Sequence, residues 1–209
     1  MQSTKQKGTI RFYGCPAEEG GGAKVYMARE GLFDDVDIAL HWHPGSQNAA
    51  SAAAALANIS AKFRFYGISA HAAGAPEKGR SALDGVEAMN AMVNMMREHV
   101  PHEARIHYVI TDGGKAPNVV PDFAEVYYYS RHNSREVVRS IFDRIVKAGV
   151  GAALGTGTTM DYELFNGVNE LLPYLIFQNL VLDNLSVIGG VVYFADDKEL
   201  AIKIASLSS

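Results

Sequence analysis

The residues most able to do chemistry lie in "CPAEEGGGAK", Cys15 to Lys24, where Glu18 and Glu19 stand side by side ahead of three glycines. Like charges repel and burial penalises both, so the pair calls for a positive partner. Downstream, "HWHP" places His41 and His43 behind a second apolar run. Carboxylate with imidazole is a donor set suited to Zn, Mn or Co, and one glutamate could bind metal while its neighbour acts as base. The plainer alternative is a solvated helix start, where acidic residues favour the positive end of the helix dipole.

Three local elements must position these groups. Residues 8–14 read as a strand, 20–31 as a helix ending near Gly31, and 35–42 as a second strand. Strand, glycine-rich turn, helix, strand is a βαβ-like unit of a parallel or mixed sheet, whose strand ends gather at the site. A phosphate loop is excluded because Ala23 and Val25 flank Lys24 where a Gly and a Ser or Thr are required. No dinucleotide G-x-G-x-x-G and no G-x-S-x-G nucleophile elbow occurs, and Cys15 has no base beside it.

A second group of elements follows a small-residue stretch at 49–58. "ISAKFRFYG" alternates, with Ile59, Ala61, Phe63 and Phe65 on one face and Ser60, Lys62, Arg64 and Tyr66 on the other. Helix 81–99 carries Leu83, Val86, Met89, Val93 and Met96 at helical spacing behind a Ser81 cap. Strands at 104–111 and 123–130 come next, then a helix at 134–149 stopping at Gly149, then a strand at 157–165. The order β-α-β-β-α-β is the ferredoxin-like plan. Helices near 174–187 and 196–206 end the chain. The expected fold is therefore mixed α/β and α+β: partial α/β segments at 1–58 and 167–209 flanking an inserted ferredoxin-like domain at 59–166.

The inserted domain holds its own polar residues. His71 sits in "SAHAAGAPEKGRS", Asn118 in "GGKAPNVVPD", and Arg131 at a strand end. By spacing alone each has a structural explanation: a solvated loop histidine, a left-handed turn asparagine, a charged edge cover.

Composition narrows the partners. The chain has 209 residues, nearly half of them hydrophobic, with 19 Lys plus Arg against 23 Asp plus Glu and a net charge of −4. No basic run tracks a phosphate backbone, so nucleic acid is not expected. The single cysteine precludes an internal disulfide framework and fits a reducing cytoplasm. No apolar stretch reaches membrane-span length, and a soluble cytoplasmic protein is the expectation.

In combination, "GTIRFYGCPAEEGGGAKVYMAREGLFDDVDIALHWHP", "GISAHAAGAPEKGRSALDGVEAMN" and "GGKAPNVVPD" resemble the aminoacylase/carboxypeptidase-type metallopeptidases, closest to their amidohydrolase branch. The resemblance implies Glu18 as general base and acid, Glu19 and His43 as metal ligands, and His71 as a lid histidine that polarises the scissile carbonyl in a partner subunit. It implies that Asn118 and Arg131, thirteen residues apart, bind the substrate carboxylate. A divalent metal, Zn or Mn, is the implied cofactor, a homodimer through the lid is the implied assembly, and an N-acyl or aminobenzoyl amino acid is the implied substrate class.

The family's first metal motif lies upstream of "PAEE" and its last histidine ligand beyond position 209. The chain is accordingly expected to be an internal segment, an intact lid with a slice of catalytic domain. Its activity as it stands is an open alternative between hydrolase, inactive dimerisation module and small-molecule-binding regulatory domain.

Overall fold

The computed structural model describes residues 7–18, 20–45, 47–51, 54–190 and 192–207. The helices are α1 (Ala23–Arg29), α2 (Ala82–Met96), α3 (Arg135–Thr156), α4 (Leu175–Ile188) and α5 (Ala195–Ser206). The strands are β1 (Ala57–Tyr66), β2 (Ala70–His71), β3 (Arg105–Asp112), β4 (Val119–Val120), β5 (Phe123–His132) and β6 (Thr159–Val168). Two compact units result: Met1–Ile38 with Ala54–Leu171, and Ala39–Ala53 with Leu172–Ser209.

Four strands of the first unit form a fully antiparallel sheet in the order β3-β5-β1-β6. The alternation in β1 decides which face is buried. Ala61, Phe63 and Phe65 turn inward with Ala124, Val126 and Tyr128 of β5, and all are essentially inaccessible. Val86, Met89 and Val93 of α2 and Ile141 and Ile145 of α3 complete one core with them. Each such side chain contributes about 1.5–3 kcal/mol on burial. Phe63 is central, with Tyr128 edge-on at 5.7 Å and Tyr162 stacked at 5.4 Å. Helix and sheet approach closely at Gly85, where a Cβ would lie 2.4 Å from the Phe65 ring.

The opposite face stays polar. Glu125 accepts hydrogen bonds from Lys62 (3.0 Å), Arg64 (2.9 Å) and Thr111 (2.8 Å), and Arg64 also binds Glu163. Burial pushes the Glu125 carboxyl up, but the donors from Lys62, Thr111 and Arg64 outweigh it and hold it below its ordinary value. At the start of α2 the Ser81 Oγ accepts from Asp84 N at 3.1 Å, the cap expected from sequence.

Three expectations fail. Residues 8–14 and 35–42 form no strand. A strand is stable only as one side of a ladder, and neither segment has a backbone ladder partner among the described residues. A side-chain ion pair, Arg11 with Asp35, links them instead, and the Tyr13 hydroxyl donates to Leu32 O at 2.8 Å in the loop after α1. The helix expected at 20–31 is reduced to α1. Finally, α3 runs past Gly149 to Thr156 and stops at Gly157, which adopts the left-handed conformation at φ 68°. Gly149 is an interior packing position, since a Cβ there would lie 3.0 Å from Met160 Cε.

In the second unit α4 and α5 bury no residue. Leu172, Val187 and Ile188 are each at least 80% exposed.

Candidate functional site

Sequence spacing offers no reason to connect His71 with Asn118, but the fold joins them. β2 and β4 pair antiparallel with His71 opposite Val119, and Ala72 N donates to Asn118 O at 3.0 Å. The two candidate residues therefore flank one short ladder at the end of the main sheet where β1 finishes and β5 begins. Close backbone packing holds this two-stranded ladder against the domain. Gly67 N donates to Asp122 O at 2.8 Å, and a Cβ on Gly67 would collide with Arg80 O at 1.9 Å. Gly79 packs on Val120 and Ala70, with space for a Cβ only at 3.0–3.2 Å. Both His71 and Asn118 are exposed.

The His71 ring is oriented by groups that the sequence reading missed. Nδ1 accepts hydrogen bonds from Ala73 N at 3.2 Å and Gly74 N at 3.0 Å, while Ala75 N donates to His71 O at 3.0 Å. The only sequence signal was the run of small residues after the histidine, which lets the chain curl back onto the ring.

Arg131 is elsewhere. It lies near the far end of β5, opposite Asn58 and Arg105, with its guanidinium 4.9 Å over the Tyr129 ring. It is eight positions along from Phe123, which lies at the end near the β2–β4 ladder, about 26 Å of strand. One chain places Arg131 and the His71–Asn118 pair at opposite ends of the sheet.

Glu18 is exposed in a tight turn in which Gly21 N and Gly22 N donate to Ala17 O at 2.9 and 2.8 Å. Ala17 itself sits at φ 53°, a strained conformation for a residue with a Cβ. Gly22 is left-handed at φ 59°, and its Cα lies close enough to Asn166 of β6 that a Cβ would meet Oδ1 at 2.9 Å. Glu19 lies outside the described residues. His43 is exposed in the second unit, and its Nδ1 is 2.8 Å from Pro44 O, so that nitrogen donates and Nε2 carries the free lone pair. Among the described residues no three His, Cys, Asp or Glu side chains cluster in a way that could hold a metal ion. Those residues do not by themselves fit a four-coordinate site. No helix among them is long and apolar enough to cross a membrane.

An antiparallel sheet is covered on one face by two helices, and a short two-stranded ladder beside His71 and Asn118 stands at one end. Residues 47–149 match the peptidase dimerisation domain of the M20 peptidases, and the chain carries that domain. Over its whole length it is 45% identical to one of the subunits of the p-aminobenzoyl-glutamate hydrolase of Escherichia coli K12, covering 44% of that subunit. It is also 33% identical to the mouse Xaa-Arg dipeptidase across 72% of the chain and 35% of the relative. The chain thus spans less than half the length of these relatives. Among solved structures, the aminobenzoyl-glutamate utilization protein of Klebsiella pneumoniae aligns with TM-score 0.56 over 66% of this chain and 35% of its own, at 22% identity. That likeness speaks for the fold.

Proposed function

We propose that the chain is the lid and an adjoining slice of the catalytic domain of a metal-dependent amidohydrolase, one that cleaves the amide of an N-acyl or aminobenzoyl amino acid. The lid is the ferredoxin-like segment 59–166, flanked by catalytic segments 1–58 and 167–209. The observation that carries the reading is the short ladder that brings His71 together with Asn118, two residues far apart in sequence and both implied in substrate handling.

Glu18 takes the proton from the attacking water and returns it to the leaving amine. His71 donates a hydrogen bond to the carbonyl oxygen as negative charge builds there. Asn118 and Arg131 hold the substrate carboxylate, Arg131 as a charge-assisted donor. Because they stand at opposite ends of one sheet, they meet on one substrate only if two copies of the chain contribute, one through the β2–β4 ladder and the other through the end of β5. A homodimer paired along a lid sheet edge supplies that arrangement, and Val109 and Ile110 leave apolar surface exposed on edge strand β3. By the family resemblance alone, Glu19 and His43 would be ligands of a divalent ion, Zn or Mn, completed by groups outside the described residues, and such an ion would supply Lewis acidity toward the substrate carbonyl.

The test is Glu18→Ala in a complete homologue, with turnover and metal content measured together. Loss of turnover with metal retained supports the assignment; near wild-type turnover sinks it.

A second reading rests on the lack of a three-ligand cluster among the described residues. In it these 209 residues act as a dimerisation module without turnover. Calorimetric zinc titration of the chain separates the two: stoichiometric binding with amidase turnover defeats the module, and a dimer that binds no zinc supports it.

A further inference from the structure

We infer that the turn after His71 is a positioning element, in which the backbone N–H groups of Ala73 and Gly74 fix the imidazole as the Nε2–H tautomer. The inference rests on the role given to His71 above and specifies which atom performs it.

Both N–H groups point at one ring nitrogen, at 3.2 and 3.0 Å. A nitrogen that accepts hydrogen bonds from main-chain donors carries no proton, so the single proton of a neutral imidazole resides on Nε2. Among the described residues Nε2 has no protein partner, and the side chain is exposed. The ring therefore presents one free donor. The remaining bonds make the arrangement stiff: Ala75 N closes the turn on His71 O, and Ala72 N binds Asn118 O across the ladder.

The polarity of this contact decides the chemistry. Had Nδ1 faced a backbone carbonyl, it would have donated, and Nε2 would have been a lone pair suited to removing a proton. Facing two N–H groups, Nε2 is instead a donor suited to a carbonyl oxygen that gains negative charge. In that tautomer Nε2 has no lone pair with which to take a proton, in keeping with the general-base role given to Glu18 above. Gly74 contributes through its N–H and not through special backbone freedom, because its φ is not in the left-handed range and a Cβ would meet Nδ1 at an ordinary 3.4 Å.

The experiment is a nitrogen-labelled sample of the full 209-residue chain. Long-range proton–nitrogen correlation spectra identify the tautomer, and the His71 signals are assigned among the seven histidines by their loss in His71→Gln. The expected result is protonated Nε2, bare Nδ1, and a through-hydrogen-bond nitrogen–nitrogen coupling from Nδ1 to the Ala73 or Gly74 amide. Gly74→Ala keeps both coupling and tautomer, whereas Gly74→Pro removes one of the two donors and the Gly74 coupling and leaves the Ala73 N–H as the remaining donor. Amide signals from β5 report whether the domain stays folded. Nδ1–H as the main form, or rapid tautomer averaging without any coupling in the unmodified chain, overturns the inference even if the proline variant misfolds. Turnover of His71→Gln in a complete homologue tests the role of His71 separately, so the two failures are distinguishable.

Discussion

Helices α2 and α4 are nearly the same length and both rich in apolar residues, yet they meet opposite fates. In α2 the stripe of Val86, Met89, Val93 and Met96 faces a sheet and is buried. In α4 the residues Leu175, Ile176, Leu180, Leu182 and Ile188 are each more than half exposed, and the helix buries none of its residues. Their ends differ as well. Ser81 caps α2 through its side chain, while Tyr174 gives α4 no side-chain cap. Apolar content alone therefore does not make a core; it needs a facing surface of matching shape. The 59–166 region supplies its own facing surface, and α4 and α5 do not have one among the described residues.

Substitutions can break or sharpen this contrast. The largest expected effect is Phe63→Ala, which removes a ring packed on Tyr128, Phe142 and Tyr162. It should cost about 3–5 kcal/mol in urea unfolding followed by circular dichroism. Ile188→Ala in α4, at an 80% exposed position, should stay within about 0.5 kcal/mol. Comparable losses at both sites would erase the distinction.

Glycines offer a second pair. Gly85→Ala drives a methyl into the Phe65 ring and should destabilise by about 1–3 kcal/mol, despite the better helix propensity of alanine. Gly190→Ala, with nothing within 4 Å of the new Cβ, should leave the thermal midpoint unchanged. Ser81→Ala should cost about 1 kcal/mol by freeing the Asp84 N–H.

The smallest effect is on pH dependence. The folded pKa of Glu125 lies below its ordinary value of 4.5, so the unfolded chain binds the proton more readily. Its contribution is present above about pH 4.5 and is lost as the pH falls through the lowered folded value. Glu125→Gln should flatten the acid side of the stability profile, read from unfolding midpoints across pH. An unchanged acid slope would mean that the Lys62–Glu125–Arg64 cluster exerts no net electrostatic pull.

Much of the central domain was legible because its signals are local. The alternation of β1, the stripe and cap of α2, and the order of elements all follow from side-chain periodicity. Gly149 misled because glycine usually ends a helix, whereas here a tight approach to Met160 required the absence of a Cβ. The segments 8–14 and 35–42 misled because an apolar run has strand character but cannot specify its ladder partner. Of the candidate site, the residue types were legible through motif resemblance. The ladder that places His71 opposite Val119, next to Asn118, and the distance of Arg131 from both, were not.

The sequence alone told which faces of the central domain's elements are apolar, where α2 begins, and which residues resemble the motifs of the aminoacylase/carboxypeptidase-type metallopeptidases. The tertiary fold was needed to show that Asn118 adjoins the ladder holding His71, that Arg131 sits at the other end of the sheet, and that Nδ1 of His71 faces two backbone N–H groups. Periodicity is written over a few neighbouring residues, whereas a ladder, a sheet end and a ring tautomer depend on backbone groups brought together from distant parts of the chain.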